Sequence, residues 1–210
     1  MNHYFDELIN KRRSIRKYQS NPPPDEWIGH LINCASQAPS ASNRQPVRFV
    51  RIVSDPKKQL IRNTIRIARD HLLSRIEMQG LTNKLKNKVN AYYRYSDFMF
   101  DAPWLFAVGA DKTDTNDFNR SLISAGLSGN FELNSDDISI GMALQSFLLK
   151  ATELGLGACV LTGPLIFVPD ICKMPDFSNI SLKCFIAVGF PDETPEAPPQ
   201  IKVLDIYSEI

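Results

Sequence analysis

The chain has 210 residues, 43% of them hydrophobic, and its 24 basic and 23 acidic side chains leave a formal net charge of +1. This composition excludes global disorder, and the near-neutral charge argues against general nucleic-acid binding, which needs a large positive field. Four cysteines are too few for a disulfide scaffold, the N-terminus carries no apolar secretory segment, and the longest uncharged apolar stretch, 154–168, is too short to span a bilayer. We therefore expect one domain over residues 1–210, in a soluble, cytoplasmic protein with no membrane or nucleic-acid partner.

The first hundred residues predict a helix, a strand and a second, longer helix. Prolines 22–24 lead into a helix that ends near residue 38, and residues 47–53 alternate apolar and arginine side chains as a strand does. Asp55-Pro56 opens a helix over 56–79 with one apolar stripe, which ends near Gly80. Residues 81–100 are mixed and hold a cluster of aromatic side chains: Tyr92, Tyr93, Tyr95, Phe98 and Phe100.

The second half of the chain predicts three core strands around a strong helix. The strands lie at 104–110, 158–161 and 182–189, and the helix runs over 135–154 with a broad apolar face. Residues 111–135 are polar and predict a long loop or a mobile excursion, a length that often has a functional reason. A proline-rich tail, 191–199, leads to residues 201–206. Strands alternate with helices, so the class is mixed α and β.

The segment Lys11-Arg12-Arg13-Ser14-Ile15-Arg16-Lys17 holds five cationic side chains among seven residues. Guanidinium groups bind phosphate oxygens in pairs, and the hydroxyl of Ser14 adds a donor, so a phosphate-bearing ligand fits. The alternatives are a solvated basic turn, which the residues alone favour, and a nucleic-acid patch.

Two further segments are candidates for ligand contact. The loop 38–46, Ala-Pro-Ser-Ala-Ser-Asn-Arg-Gln-Pro, is dense in hydroxyl and amide groups; on its own an ordinary turn is the favoured interpretation. The segment 155–164 contains Gly155 and Gly157, but a dinucleotide-binding motif is excluded because the third glycine is missing and a helix precedes the strand. Thr162-Gly163 at the end of that strand can offer bare backbone N–H groups to a planar ligand.

The sequence shows neither the residue spacing of a metal site nor the motif of a triad hydrolase. The cysteines stand at 34, 159, 172 and 184 without metal-ligand spacing, and the three histidines, at 3, 30 and 71, form no cluster. We therefore expect no metal site and no catalytic nucleophile.

Taken in order, these segments resemble the nitroreductase family of FMN-dependent oxidoreductases over nearly the whole chain. The resemblance rests on Arg12-Arg13-Ser14-Ile15-Arg16-Lys17-Tyr18, on the loop 38–46, on Asp137-Ile138-Ser139-Ile140-Gly141, on 155–159 and on Val188-Gly189-Phe190-Pro191. It implies an α+β fold, a mixed β-sheet flanked by helices, in a homodimer whose subunits exchange terminal segments and share two FMN sites at their interface.

The resemblance also implies roles for individual residues. Arg12 and Ser14 would hold the phosphate and ribityl chain, and Arg16 would lie near flavin N1 and the C2 carbonyl. Pro39, Ser40 and Asn43 would reach the flavin from the other subunit. Thr162 and Gly163 would offer donors near N5 and O4, and Lys202 would be the phosphate contact of the tail. Arg13 and Gln45 complete the expected cofactor-binding set.

By the same resemblance, hydride from NADH or NADPH would reach flavin N5 and then pass to a small flat acceptor, a nitroaromatic or a quinone, with ping-pong kinetics. No protein residue is expected to be catalytic. The alternatives are a divergent reaction (reductive dehalogenation or flavin cleavage), a flavin-storage protein without activity, and a basic-loop nucleic-acid binder.

Three features of the sequence depart from the family pattern. Many relatives have Trp after Gln-Pro, where this chain has Val47. The positions at which relatives carry polar residues that contact the flavin ring correspond here to Tyr95 and Phe98. The tail carries a single basic residue, Lys202. One or both of the segments 81–100 and 111–135 are expected to cover the flavin and shape the acceptor pocket. The aromatic cluster at 92–100 either stacks on flat acceptors or packs in the core.

Overall fold

A four-stranded antiparallel sheet organises this protein, for which a computed structural model describes residues 3–112, 121, 122, 124–127, 135–167, 171 and 174–209. The strands are β1 (Val47–Arg51), β2 (Trp104–Asp111), β3 (Gly157–Leu161) and β4 (Ile180–Gly189), in the order β1-β2-β4-β3. Strand β1 is therefore one edge of the sheet and β3 the other. The register pairs Val47 with Ala110 and Ala158 with Val188.

Six helices surround this sheet in the described part of the chain. They are α1 (Tyr4–Lys11), α2 (Trp27–Ser36), α3 (Asp55–Met78), α4 (Asn83–Asp97), α5 (Ser135–Glu153) and α6 (Pro164–Phe167). Short 3₁₀ turns lie at Ala41–Asn43, Phe98–Asp101, Pro175–Phe177 and Val203–Asp205. None of the described helices is both long enough and apolar enough to cross a membrane.

Strand β2 divides the interior into two apolar layers because its side chains alternate between the two faces of the sheet. Leu105 and Ala107 belong to a cluster with buried residues of α3 and α4, whereas Trp104, Phe106 and Val108 belong to a cluster with α2 and α5. Each face of the sheet is thus covered by its own helices, and the predicted α+β fold is confirmed. The four strands pair antiparallel, and the isolated bridge between Ser14 and Ala158 is parallel.

The structure confirms most of the predicted elements and adds two helices. The strands at 47–53, 104–110, 158–161 and 182–189 and the helices near 24–38, 56–79 and 135–154 are present within a few residues of their expected ends. Gly80, with φ of 64°, ends the region of α3 as expected. Helix α1 was not predicted, and the interpretation of 81–100 as mixed was wrong, because α4 occupies most of it. Most of the predicted excursion at 111–135 lies outside the described residues.

Candidate functional site

The basic segment leaves α1 and runs beside the edge strand β3. Arg12 ends α1 in an extended conformation (φ −58°, ψ 127°), and the Ile15 amide donates a hydrogen bond to the carbonyl of Ala158 (3.1 Å). Ile15 is buried against Gly157, where a Cβ would lie 2.6 Å from Ile15 Cγ1. The absence of a side chain at 157 therefore lets the basic segment close onto the sheet.

Because Ile15 points inward, the polar side chains on either side of it face a common opening, the arginine cleft. Arg16 Nη1 donates to the carbonyl of Ser14 (3.2 Å), and Arg13 Nη1 donates to the carbonyl of Arg12 (2.7 Å). The cleft is lined by the basic segment on one side and the tail on the other: Arg12, Arg13, Ser14, Arg16, Pro195, Glu196, Pro198 and Gln200. Four predicted cofactor residues are thus brought together within one chain.

Glu193 holds the basic segment in place and was not singled out by the sequence. Its carboxylate accepts the backbone N–H groups of Arg16 (2.5 Å) and Lys17 (3.2 Å). A carboxylate that accepts two amide hydrogen bonds fixes the local backbone, so the arginine side chains start from an anchored chain. The only sequence signal was an acidic residue just after the strand that ends in Gly189.

A second opening, the aromatic cleft, meets the arginine cleft at Arg16, which lines both. Its volume is about 490 Å³, which lies in the range of small-molecule sites. It is lined by Arg16, by three residues of α4 and by the end of β3 with the two residues that follow: Tyr92, Tyr95, Ser96, Cys159, Val160, Leu161, Thr162 and Gly163. Predicted residues Arg16, Thr162 and Gly163 therefore share one opening.

Helix α4 approaches the end of β3 closely at Gly163. A Cβ at this position would lie 3.0 Å from Ser96 Oγ, and the Ser96 hydroxyl donates to the carbonyl of Tyr92 (2.8 Å). Ser96 was missed by sequence reasoning. Its spacing from Tyr92 and Tyr95 places all three on one face of a helix, a signal visible only once 81–100 is recognised as helical.

The floor of the aromatic cleft is uncharged. Burial raises the pKa of the Cys159 thiol, which outweighs the opposite influence of the Arg16 and Arg12 guanidinium groups. Arg16 is therefore the charged side chain among the described residues that line this cleft.

The loop that contains Pro39, Ser40, Asn43 and Gln45 lies elsewhere in the molecule. With residues of α2, β1 and α5 it forms the loop hollow, lined by Ala35, Ser36, Ala38, Pro39, Ser40, Gln45, Pro46, Val47, Arg48, Ser139 and Ala143. Asn43 and Gln45 have φ of 53° and 51°, and the Gln45 amide donates to Ser40 Oγ (2.9 Å). Positive φ at non-glycine residues is strained and often marks functional loops.

The loop hollow and the arginine cleft are at diagonally opposite corners of the sheet. Val47 begins the edge strand β1 opposite Ala110, which pairs with Ser181, whereas the Ser14 bridge reaches Ala158, which pairs with Val188. Three strand spacings and seven residues along β4 separate the two corners by about 25 Å. Within one chain, the structure does not bring the loop residues to the arginines, and their assignment to a site shared with a second subunit stays a prediction.

Lys202 also lies away from the arginine cleft. It precedes the exposed 3₁₀ turn at Val203–Asp205 and is not among the described residues that line the cleft. The tail contributes Pro198 and Gln200 instead. The role of Lys202 as a phosphate contact therefore stays a prediction. It requires the tail to lie in a different position from the one seen here. Across the described residues, no three His, Cys, Asp or Glu side chains are placed to hold a metal ion.

Comparison with known proteins places this geometry in a family. Residues 9–190 match the model of the nitroreductase family. An iodotyrosine deiodinase of Thermotoga neapolitana is 25% identical over 203 residues, which cover 96% of this chain and 96% of that protein. A BluB-like flavoprotein of Clostridium difficile 630 superposes with a TM-score of 0.82, at 26% identity and with 98% of each chain covered. A nitroreductase-type protein of Desulfovibrio desulfuricans, solved with FMN, shares the fold at a TM-score of 0.70, with 21% identity over 100% of this chain and 98% of that one.

Proposed function

Because the chain belongs to the nitroreductase family, we propose that it is an FMN-dependent oxidoreductase that takes hydride from NADH or NADPH and delivers it to a flat conjugated acceptor. Nitroaromatics and quinones are the acceptors of this class. The observation that carries the proposal is the junction of the two clefts at Arg16. A cationic pocket for a phosphate adjoins there an aromatic-walled pocket of a size suited to a planar ring, and Arg16 lines both.

The chemistry of the arginine cleft fits the phosphate end of FMN. Three guanidinium groups and the hydroxyl of Ser14 present several donors to a phosphate dianion, and charge-assisted hydrogen bonds of this type are the strong ones. Glu196 lies on the exposed tail side, where its carboxylate can accept hydrogen bonds from ribityl hydroxyl groups. The anchored backbone at Glu193 means that little ordering is needed when the phosphate binds.

The aromatic cleft fits the ring end. Thr162 and Gly163 follow the last residue of β3 and offer backbone N–H groups at the rim, while the Arg16 guanidinium stabilises negative charge that develops near N1 and the C2 carbonyl. Cys159 beneath them is an uncharged thiol because burial raises its pKa, so the floor does not oppose that negative charge. When bound, FMN would supply hydride transfer at N5, and the protein residues bind, orient and exclude water.

The loop 39–45 would complete the site from a second copy of the chain, in a homodimer. The tail exposes a run of large apolar side chains, with Val203 75% and Leu204 86% exposed, and α1 exposes Phe5 at 60%. Exposed apolar segments of this kind mark protein interfaces. Exchange of the terminal segments between two subunits would cover them and bring the strained loop to the clefts.

Reductive dehalogenation of an aromatic ring is the second candidate. The relative from Thermotoga neapolitana is an iodotyrosine deiodinase, and it aligns with almost the whole chain. The same cofactor site would serve this reaction: bound reduced FMN would supply two electrons, a proton from solvent would become the new ring hydrogen, and the halogen would leave as halide.

Anaerobic reduction of the purified protein tests the proposal. We expect protein that is yellow, or that takes up one FMN per chain, to lose its absorbance near 450 nm with NADH or NADPH and to recover it with a nitroaromatic or a quinone. Recovery with 2-iodophenol and release of iodide, but not with nitroaromatics, would favour dehalogenation. Protein that stays colourless in excess FMN would contradict both, and reduced flavin that no acceptor reoxidises would indicate storage.

A further inference from the structure

One side of helix α4 is fixed to the helices next to it. Arg62 of α3 forms a bidentate pair with Asp97, with Nε to Oδ1 at 2.9 Å and Nη2 to Oδ2 at 2.5 Å. The guanidinium of Arg69 lies 4.2 Å from the ring centre of Tyr93, and Tyr93 packs edge-on against Phe167. These contacts set both the position and the rotation of α4.

The rotation of α4 decides which of its tyrosines face the aromatic cleft. Tyr92 and Tyr95 are three residues apart, so they lie on one side of the helix, and both line the cleft. Tyr92 is 54% exposed and Tyr95 71% exposed, whereas the floor residue Leu161 is buried. The two phenol rings therefore stand at the open side of the cleft, above the surface on which a flat ring would lie.

The two phenol groups supply a specific chemistry at this opening. Neither hydroxyl has a hydrogen-bond partner among the described residues, and no carboxylate lines the described walls of the cleft. The available side-chain donors thus include two phenols and the guanidinium of Arg16, which is also exposed. Such a set binds an oxygen with negative or partial negative charge and offers an aromatic surface for stacking.

From this arrangement we propose that Tyr92 and Tyr95 determine acceptor specificity: they select planar acceptors whose ring edge carries an anionic or carbonyl oxygen. This inference rests on the proposed function, since it takes the flavin to lie on the floor of the same cleft. The phenol hydroxyls donate to the oxygen of the acceptor, and the rings pack against its plane. A flat ring without such an oxygen keeps the stacking and loses the hydrogen bonds.

Binding of a matched pair of ligands to the oxidised FMN-loaded protein tests the proposal without requiring turnover. The pair is 4-nitrobenzoate and nitrobenzene, and perturbation of the flavin absorbance gives each dissociation constant. We expect the native protein to prefer the carboxylate, and the double variant Tyr92→Phe/Tyr95→Phe to reduce that preference about tenfold, the effect of losing hydrogen bonds to a charged oxygen. Tyr95→Ala removes a ring together with its hydroxyl, so it should weaken both ligands, and 4-nitrobenzoate more than nitrobenzene.

Tyr93→Phe is the matched control, because it removes a phenol hydroxyl from the same helix on the side that faces Arg69. It should leave the preference unchanged. An equal loss of preference in Tyr93→Phe, or an unchanged preference in the double variant, would overturn the proposal. So would a double variant whose FMN affinity falls while its preference stays, because the phenols would then contact the cofactor. Failure of the native protein to bind FMN would instead contradict the proposed function itself.

Discussion

The basic segment 12–16 and the loop 39–45 are expected to hold one ligand, yet they are organised in different ways. The basic segment is fixed by contacts to distant parts of its own chain: Ile15 packs against Gly157, and Glu193 accepts the backbone N–H groups of Arg16 and Lys17. The loop has local hydrogen bonds of Gln45 to Ser40 and Asn43 and an ion pair to α5, between Arg44 and Asp136 (3.2 Å), and it carries positive φ values.

This difference indicates which half of the site one chain can build alone. The arginine cleft and the aromatic cleft adjoin at the β3 edge and need no second subunit to form. The loop, at the opposite corner, presents hydroxyl and amide groups in a strained conformation far from the arginines. One chain therefore forms both the arginine cleft and the aromatic cleft, and our proposal assigns the second half of the ring pocket to the loop of another copy.

Removal of an arginine from the arginine cleft should have the largest effect on FMN binding. We expect Arg12→Ala or Arg16→Ala to weaken FMN binding by about ten- to a hundredfold, because each loses a charge-assisted contact worth roughly 1.5–3 kcal/mol. Fluorescence quenching of FMN during titration gives the dissociation constants. Arg66→Ala removes an exposed arginine of α3, outside both clefts, and should bind FMN as the native chain does. Unchanged affinity in both cleft variants would refute the site assignment.

Gly157→Ala tests the packing that places the arginines. The added Cβ would lie 2.6–2.8 Å from three carbon atoms of Ile15, so the basic segment must shift away from β3. Overpacking of this kind costs roughly 1–3 kcal/mol of unfolding free energy, and we expect FMN affinity to fall with it. Urea unfolding and FMN titration measure the two effects.

Gly29→Ala is the control for that substitution, since nothing lies within 4 Å of a Cβ at position 29 of α2. This variant should be at least as stable as the native chain, because alanine favours a helix interior. A Gly157→Ala protein with native stability and native FMN affinity would show that the approach of Ile15 to β3 is not needed for the site.

Local sequence signals predicted most of the fold, and they failed where the pattern was dominated by charge. Apolar spacing in 56–79 and 135–154 gave helices that exist as α3 and α5. Helix α4 was missed because Lys84, Lys86 and Lys88 interrupt the apolar pattern and its buried residues are only Val89 and Ser96. Val89, Tyr93 and Ser96 are spaced by four and three residues, as on one face of a helix. The neighbouring aromatic residues made this helical spacing hard to recognise.

The candidate site was predictable only in part, and distance along the chain explains the limit. The arginines and the Thr162-Gly163 pair could be named from composition and family resemblance. Glu193 could not, because its partners lie about 177 residues away and no local pattern links them. Ser14 and the loop lie at opposite corners of the sheet because β1 and β3 are its two edge strands. The sequence did not reveal this strand order.

Dimers of two different variants test whether the basic segment and the loop of one FMN site come from the same chain or from two chains. Asn43→Gly removes the amide but keeps a residue suited to the φ of 53°, and we expect it to weaken FMN binding about two- to tenfold. Dimers with Arg12→Ala in one chain and Asn43→Gly in the other, isolated through two affinity tags, have two possible outcomes. If the site is shared, one site carries both changes and the other carries none, so half of the FMN binds with native affinity. If each chain builds its own site, every site carries one change and no native-affinity fraction appears.

A monomer that binds FMN with native affinity would likewise exclude a shared site, and the strained loop would then need another explanation.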